Sequence, residues 1–205
     1  MLVKICGITR VDDAHAAIEA GAHALGFVFW RDSPRFIDPY RARAIVATLP
    51  PLVTPVGLFV NQPVDYVKAV AALVKLGAVQ LHGDESVAYA ASVQSPVIKA
   101  LSPDRVSDAW PSNVRILLDV HDPIRRGGTG TPVDWTAAAA IAATRPILLA
   151  GGLTPDNVGT AIARVHPFGV DVSSGVERSP GVKDRTLMTR FCEAVHATSD
   201  FAARS

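Results

Sequence analysis

The chain has 205 residues, 49% of them hydrophobic, at a mean hydropathy of +0.25. That is long and apolar enough for one well-buried domain, and it excludes a disordered or fibrous protein. Twenty Lys and Arg against nineteen Asp and Glu leave a formal charge of +1. A bulk electrostatic pull toward nucleic acid or a membrane surface is therefore excluded, and any bound anion must be held by a local site.

Met1–Ile5 runs straight into an apolar segment without the basic stretch, long apolar region and cleavage site of a secretory signal, so a cytoplasmic location is expected. Charges, glycines and prolines interrupt every apolar run well short of the roughly 20 residues needed to span a bilayer. The two cysteines, Cys6 and Cys192, form neither a disulfide framework nor a metal-ligand cluster and are expected to be free thiols.

Short β-rich apolar runs alternate with Ala-rich stretches of helical spacing along the whole chain. The reading in chain order is strand Leu2–Cys6, helix Asp12–Ala20, strand Ala24–Phe29, helix Pro39–Leu49, strand Val53–Val60, helix Val64–Leu76, strand Ala78–His82 and helix Glu85–Ser92. It continues with strand Pro96–Ala100, helix Pro103–Trp110, strand Arg115–Asp119, helix Asp134–Ala143, strand Ile147–Ala150, helix Pro155–Arg164, strand Gly169–Ser173 and helix Asp184–His196. Asp38, Ser102 and Thr154 each precede a proline and are expected to cap the helices that follow. Eight such units form either a closed barrel or an open doubly wound sheet. The first turn, Cys6-Gly-Ile-Thr-Arg, lacks the G-x-G-x-x-G of a dinucleotide-binding sheet, so the expected fold is α/β, a single (β/α)8 TIM barrel over residues 1–205 with 196–205 as a frayed tail.

In a barrel, chemistry sits at the carboxyl ends of the strands, where this sequence concentrates its unusual residues. Ala150-Gly151-Gly152-Leu153 and Asp171-Val172-Ser173-Ser174-Gly175 follow the last two strands. Glycines there let backbone N–H groups approach an oxyanion and serines add donors, a phosphate site in the place where barrels often hold one. Glycine also serves plain tight turns. Cys6 and Asp119, at the ends of the first and sixth strands, are the acid/base candidates: a thiolate can take a carbon-bound proton and a carboxyl can give one to a leaving oxygen. Lys4, on the same face of its strand as Cys6, either favours that thiolate or pairs with Asp171 inside the barrel. A lone cysteine is more often a small buried hydrophobe, and an aspartate in a loop often a turn residue.

Arg35 offers a planar fork for a carboxylate or phosphate. Arg125–Thr131 is glycine-rich enough for a lid. His82-Gly83-Asp84-Glu85 reads as a strand-end substrate contact at His82 and a helix cap at Asp84 in preference to a metal site, and the histidines lack zinc spacing. No G-x-S-x-G elbow or Walker loop is present, so neither serine hydrolysis nor ATP use is expected.

The ordered series Lys4–Thr9, Gly26–Phe29, Ser33–Arg35, Gly57–Asn61, Val79–Gly83, Leu117–Asp119, Gly127–Gly130 with Asp134-Trp135, Leu149–Leu153 and Gly169–Glu177 resembles the phosphoribosylanthranilate isomerases of tryptophan biosynthesis. The resemblance runs from Lys4 to Asp184 and departs at Val133, where an aromatic would be more usual. It implies a cofactor-free Amadori rearrangement of N-(5-phosphoribosyl)anthranilate, with Asp119 as general acid on the ring oxygen and Cys6 as general base at C2. It further implies that Arg35 contacts the anthranilate moiety, and that the Gly151, Gly152, Asp171, Ser173, Ser174 and Gly175 loops hold the phosphate. No metal, cofactor, nucleic acid or membrane partner is expected; the protein is a monomer or homodimer. Two alternatives remain at this stage: a histidine-pathway aldose–ketose isomerase, whose family has aspartate where this chain has Cys6, and a non-catalytic phospho-ligand binding barrel.

Overall fold

The computed structural model describes residues 1–119 and 133–202. Eight parallel strands close into a barrel in chain order: β1 (Leu2–Cys6), β2 (Ala24–Val28), β3 (Thr54–Phe59), β4 (Ala78–Leu81), β5 (Val97–Leu101), β6 (Arg115–Leu118), β7 (Ile147–Leu149) and β8 (Gly169–Val172). β1 pairs with both β2 and β8, which seals the sheet. The helices around it are α1 (Val11–Ala20), α2 (Pro39–Val46), α3 (Val64–Val74), α4 (Val87–Ser92), α5 (Trp135–Ala142), α6 (Val158–Val165) and α7 (Arg185–Ala202). A small antiparallel hairpin, β9 (Glu177–Ser179) and β10 (Val182–Lys183), lies between β8 and α7.

The eight strands fall where the apolar runs predict them because barrel strands are covered on both faces and so read as continuous hydrophobic segments. Their two faces do different work. Val3, Ile5, Phe27, Val79, Ile116, Leu149 and Val170 point outward into the main core against the helices. Residues of the opposite parity fill the lumen: Ala24, Val56 and Ala78 in one cluster, Ala100, Leu117, Leu148 and Ala150 in another. The register Lys4↔Asp171, Cys6↔Gly26, Leu58↔Gln80 and Leu117↔Leu148 carries this inward parity around the barrel. Continued two residues along β1, β4, β6 and β8, it brings Cys6, His82, Asp119 and Ser173 to the mouth.

Several local expectations are corrected. Pro103–Trp110 is not a helix: only a 3-10 turn, Pro103–Arg105, forms, and Trp110 turns inward to lie 6.0 Å from the Lys99 ammonium. Of the three proposed caps, Asp38 accepts a bond from Tyr40 N, whereas Ser102 makes no side-chain cap bond. Thr154 starts no helix; α6 begins three residues past Pro155, at Val158, and Asn157 braces the loop by accepting from Thr154 N at 2.8 Å. Ser86, not Asp84, caps α4, while Asp84 pairs with Arg105 at 3.1 Å and Glu85 is buried against Lys99 at 2.8 Å. α7 runs past His196 to Ala202, and Thr198 Oγ1 bonds back to Ala194 O. Val133 is buried in the main core. The glycine-rich stretch Arg125–Thr131 lies outside the described residues. No helix among the described residues is long and apolar enough to cross a membrane.

Candidate active site

Cys6 ends β1, its side chain buried beside Val28, Leu58 and Val60. Room for it depends on Gly26 next door on β2, where a Cβ would stand 2.6 Å from Cys6 Sγ. One layer deeper, Lys4 is fully buried and donates to Asp171 Oδ1 at 2.7 Å. Both expectations for Lys4 are thus compatible, since the pair is formed directly beneath the thiol. Burial pushes the Cys6 thiol up; Lys4 and Lys183 pull it back and Asp171 adds to the rise, with a net increase over the ordinary value. Lys4 and Lys183 are the cations placed to stabilise a thiolate at Cys6 against that burial. The Lys4 ammonium is held charged: burial would lower its pKa, but Asp171 and Cys6 together raise it.

Asp119 follows β6, its N–H bonded to Leu101 O at 3.0 Å. Its Oδ2 lies 3.4 Å from His82 Nε2. On the other side of the imidazole, Gln80 Nε2 is 2.9 Å from His82 Nδ1. When the Gln80 amide donates there, Nδ1 accepts and Nε2 carries its hydrogen toward the Asp119 carboxyl. Gln80 Oε1 is buried with no partner among the described residues.

The loops after β7 and β8 form the third part. Gly151 and Gly152 have φ of 78° and 67°, a left-handed conformation that glycine adopts without steric cost. Asn157 Nδ2 holds the Gly152 carbonyl at 2.9 Å. Ser173 Oγ donates to Cys6 O at 3.1 Å, tying the β8 loop to the end of β1, and Ser174–Val176 turn as a 3-10 helix. The two loops touch behind the cleft, where a Cβ on Gly175 would collide with the Leu153 carbonyl oxygen. Asp119, Gly151, Gly152, Asp171, Ser173 and Ser174 line one cleft.

Arg35, in the loop after β2, reaches over the β1 turn, and its Cδ would lie 2.7 Å from a Cβ on Gly7. Its guanidinium is taken by Glu177, with Nε donating to Oε1 at 2.9 Å and Nη2 to Oε2 at 2.7 Å. Glu177 Oε1 also accepts from Lys183 Nζ at 2.9 Å, and Lys183 donates to Ser173 O at 3.1 Å. Burial raises the pKa of the Glu177 carboxyl, but its bonds to Arg35 and Lys183 outweigh burial and hold it below the usual range. Burial, opposed by Glu177, lowers that of the Lys183 ammonium.

All ten predicted site residues thus sit at the carboxyl end of the barrel, and six of them share the cleft. Asp171 is committed to Lys4 and Arg35 to Glu177, contacts the sequence reading did not anticipate for Arg35. Sequence reasoning also missed Gly26, Gln80, Glu177 and Lys183. The signal for the first two was a glycine and an amide at lumen-facing positions of otherwise apolar strands. Glu177 and Lys183 gave none: they pair with each other across the β9–β10 hairpin, but Arg35, which makes them part of the site, is 142 residues from Glu177.

A closed barrel that carries a buried thiol, a carboxyl and two glycine–serine turns at the carboxyl ends of its strands has the layout of a (β/α)8-barrel enzyme. The family model for N-(5'-phosphoribosyl)anthranilate (PRA) isomerase matches residues 3–194, and the chain belongs to that family. It is 48% identical over 199 residues to the N-(5'-phosphoribosyl)anthranilate isomerase of Geobacter metallireducens, covering 95% of this chain and 98% of the relative. Among solved structures it superimposes on a monomeric form of the dimeric phosphoribosylanthranilate isomerase of Thermotoga maritima, with a TM-score of 0.85 at 39% identity over 96% of this chain and 100% of the other. It is similar also to a phosphoribosyl anthranilate isomerase in complex with reduced 1-(o-carboxyphenylamino)-1-deoxyribulose 5-phosphate, with a TM-score of 0.83 at 40% identity and the same coverage.

Proposed function

We propose that this chain converts N-(5'-phosphoribosyl)anthranilate into 1-(2-carboxyphenylamino)-1-deoxyribulose 5-phosphate in tryptophan biosynthesis, with Asp119 as general acid and Cys6 as general base. Asp119 gives its proton to the furanose ring oxygen as the C1–O bond breaks, and the anthranilate nitrogen supplies the electron pair that forms the Schiff base. The thiolate of Cys6 then takes the C2 proton, leaving an enolamine that tautomerises to the ketone. Protons and one C–O bond move without net oxidation or reduction, so the sequence of steps needs no cofactor. The positive charge of the protonated Schiff base, beside Lys4 and Lys183, favours the thiolate when it is needed.

The observation that carries this reading is that Asp119 lines one cleft with the Gly151-Gly152 and Ser173-Ser174 turns, while Cys6 ends β1 at the same end of the barrel and accepts from Ser173 Oγ through its carbonyl. In the same reading those turns bind the phosphate through backbone N–H groups and hydroxyls. His82 orients Asp119 or the substrate, and Arg35 meets the anthranilate carboxylate. A cytoplasmic protein, monomeric or homodimeric, acting on a small phosphorylated substrate without nucleic acid or membrane partners, completes the proposal.

Purified protein mixed with N-(5'-phosphoribosyl)anthranilate should consume its fluorescence with saturation kinetics, and the corresponding histidine-pathway aminosugar should turn over far more slowly. Turnover of the second substrate alone would overturn the proposal. No turnover of either would favour a binding barrel.

A further inference from the structure

Three ionic groups, Arg35, Glu177 and Lys183, meet beside the cleft, and neither Glu177 nor its two-point hold on Arg35 enters the acid/base steps. Both oxygens of Glu177 face Arg35, one of them is shared with Lys183, and Gly181 N adds a fourth donor at 3.2 Å. The side chains of Glu177 and Lys183 are 4% and 0% exposed, and that of Arg35 is 13%. A carboxylate this deeply buried with two cations leaves the trio one net positive charge. It also fixes the plane of a side chain that otherwise carries large rotamer freedom. Because Glu177 takes Nε and one hydrogen of Nη2, the remaining guanidinium hydrogens are those a second planar anion would meet. The same Glu177–Lys183 pair is bonded to Ser173 O, so the network links the loop after β8 to Arg35 and, through Ser173 Oγ, to the end of β1.

We propose that Glu177 is a positioning residue that presets the Arg35 guanidinium to recognise the carboxylate on the substrate's aromatic ring. The proposal rests on the reading of Arg35 given above. Glu177 lowers the entropic cost of placing Arg35 and, with Lys183, holds it in register with the loop that carries Ser173. The expected phenotype is a loss of carboxylate selectivity, separate from loss of the acid/base steps.

The test is equilibrium titration with two ligands: reduced 1-(o-carboxyphenylamino)-1-deoxyribulose 5-phosphate and the same molecule lacking the ring carboxyl. The native protein should prefer the first by about tenfold or more, as a charge-assisted bidentate contact warrants. Glu177→Gln should reduce that preference to roughly threefold or less, with a smaller change for the carboxyl-free ligand. Glu177→Asp keeps the charge but withdraws it by one methylene. It should do the same, and it decides the matter if Glu177→Gln does not fold. Wild-type preference in both variants, or an equal loss of affinity for both ligands, overturns the positioning role. Arg35→Ala separates the two levels: if it abolishes the preference while the Glu177 variants keep it, only the positioning role fails. If Arg35→Ala retains the preference, the reading of Arg35 fails with it.

Discussion

Replacing Lys4 by methionine probes stability and chemistry at once. The Lys4 ammonium is fully buried and 2.7 Å from Asp171 Oδ1, on the neighbouring strand in direct register. Removing it leaves a buried carboxylate without its cation, a change that costs about 3–5 kcal/mol. For a chain of this size each kcal/mol corresponds to roughly 2–4 °C, so the Tm should fall by about 6–20 °C. Lys4 is also the strongest of the charges acting on Cys6, and it pulls the thiol down against burial. Its loss should move the pH profile of Cys6 alkylation by iodoacetamide, followed by mass spectrometry of the Cys6 peptide, to higher pH. Adding Asp171→Leu removes the orphaned carboxylate and should restore much of the Tm. The alkylation profile should stay above that of the native protein, because Lys4 outweighs Asp171 at the thiol. An unchanged Tm in Lys4→Met would refute the stability argument. An alkylation profile superimposable on wild type would refute the electrostatic one.

Other perturbations test other parts of the site. Gly26→Ala places a methyl 2.6 Å from Cys6 Sγ. It should cost about 1–3 kcal/mol in urea unfolding and lower kcat by displacing the thiol; a neutral result in both assays would mean the lumen there is roomier than the packing implies. Gly175→Ala forces the loops after β7 and β8 apart at Leu153 O, so, if they hold the phosphate as proposed, KM for the phosphorylated substrate should rise about tenfold or more and inhibition by inorganic phosphate should vanish. A KM within twofold of wild type would remove those loops from phosphate binding. Burial, with a smaller contribution from Glu193, pushes the Cys192 thiol up to about 11 from an ordinary 9.0. A folded-state pKa above the unfolded one contributes stability that is fully present below pH 9 and lost as pH rises toward 11. Urea midpoints measured from pH 8 to 11 should therefore fall more steeply for the native protein than for Cys192→Ala, and parallel curves would contradict that assignment.

The barrel was legible because its information is local and periodic. Apolar runs such as Ile116–Leu118 and Ile147–Leu149 are strands buried on both faces, and strand parity alone aligns Cys6 with Lys4 and Asp119 with Leu117. Failures came where tertiary context competes with local signals. Ser102-Pro103 has the grammar of a helix start, yet the chain gives only a 3-10 turn before Trp110 is drawn toward Lys99. Glu85 and Asp84 look alike as capping carboxylates, but one is buried with Lys99 and the other pairs with Arg105. The placement of Cys6 and Asp119 at the ends of their strands was readable from position, whereas the Arg35–Glu177–Lys183 network joins residues up to 142 apart in sequence. The role of Gly26 depends on the size of a side chain on another strand, a relation that no single-sequence pattern encodes.

The central claim is that Cys6 and Asp119 move the protons of the rearrangement, and kcat for N-(5'-phosphoribosyl)anthranilate in Cys6→Ala and Asp119→Asn tests it most directly. Each variant, with native circular dichroism, should lose on the order of 10²-fold or more in kcat. Turnover within a few-fold of wild type in either one would contradict the account.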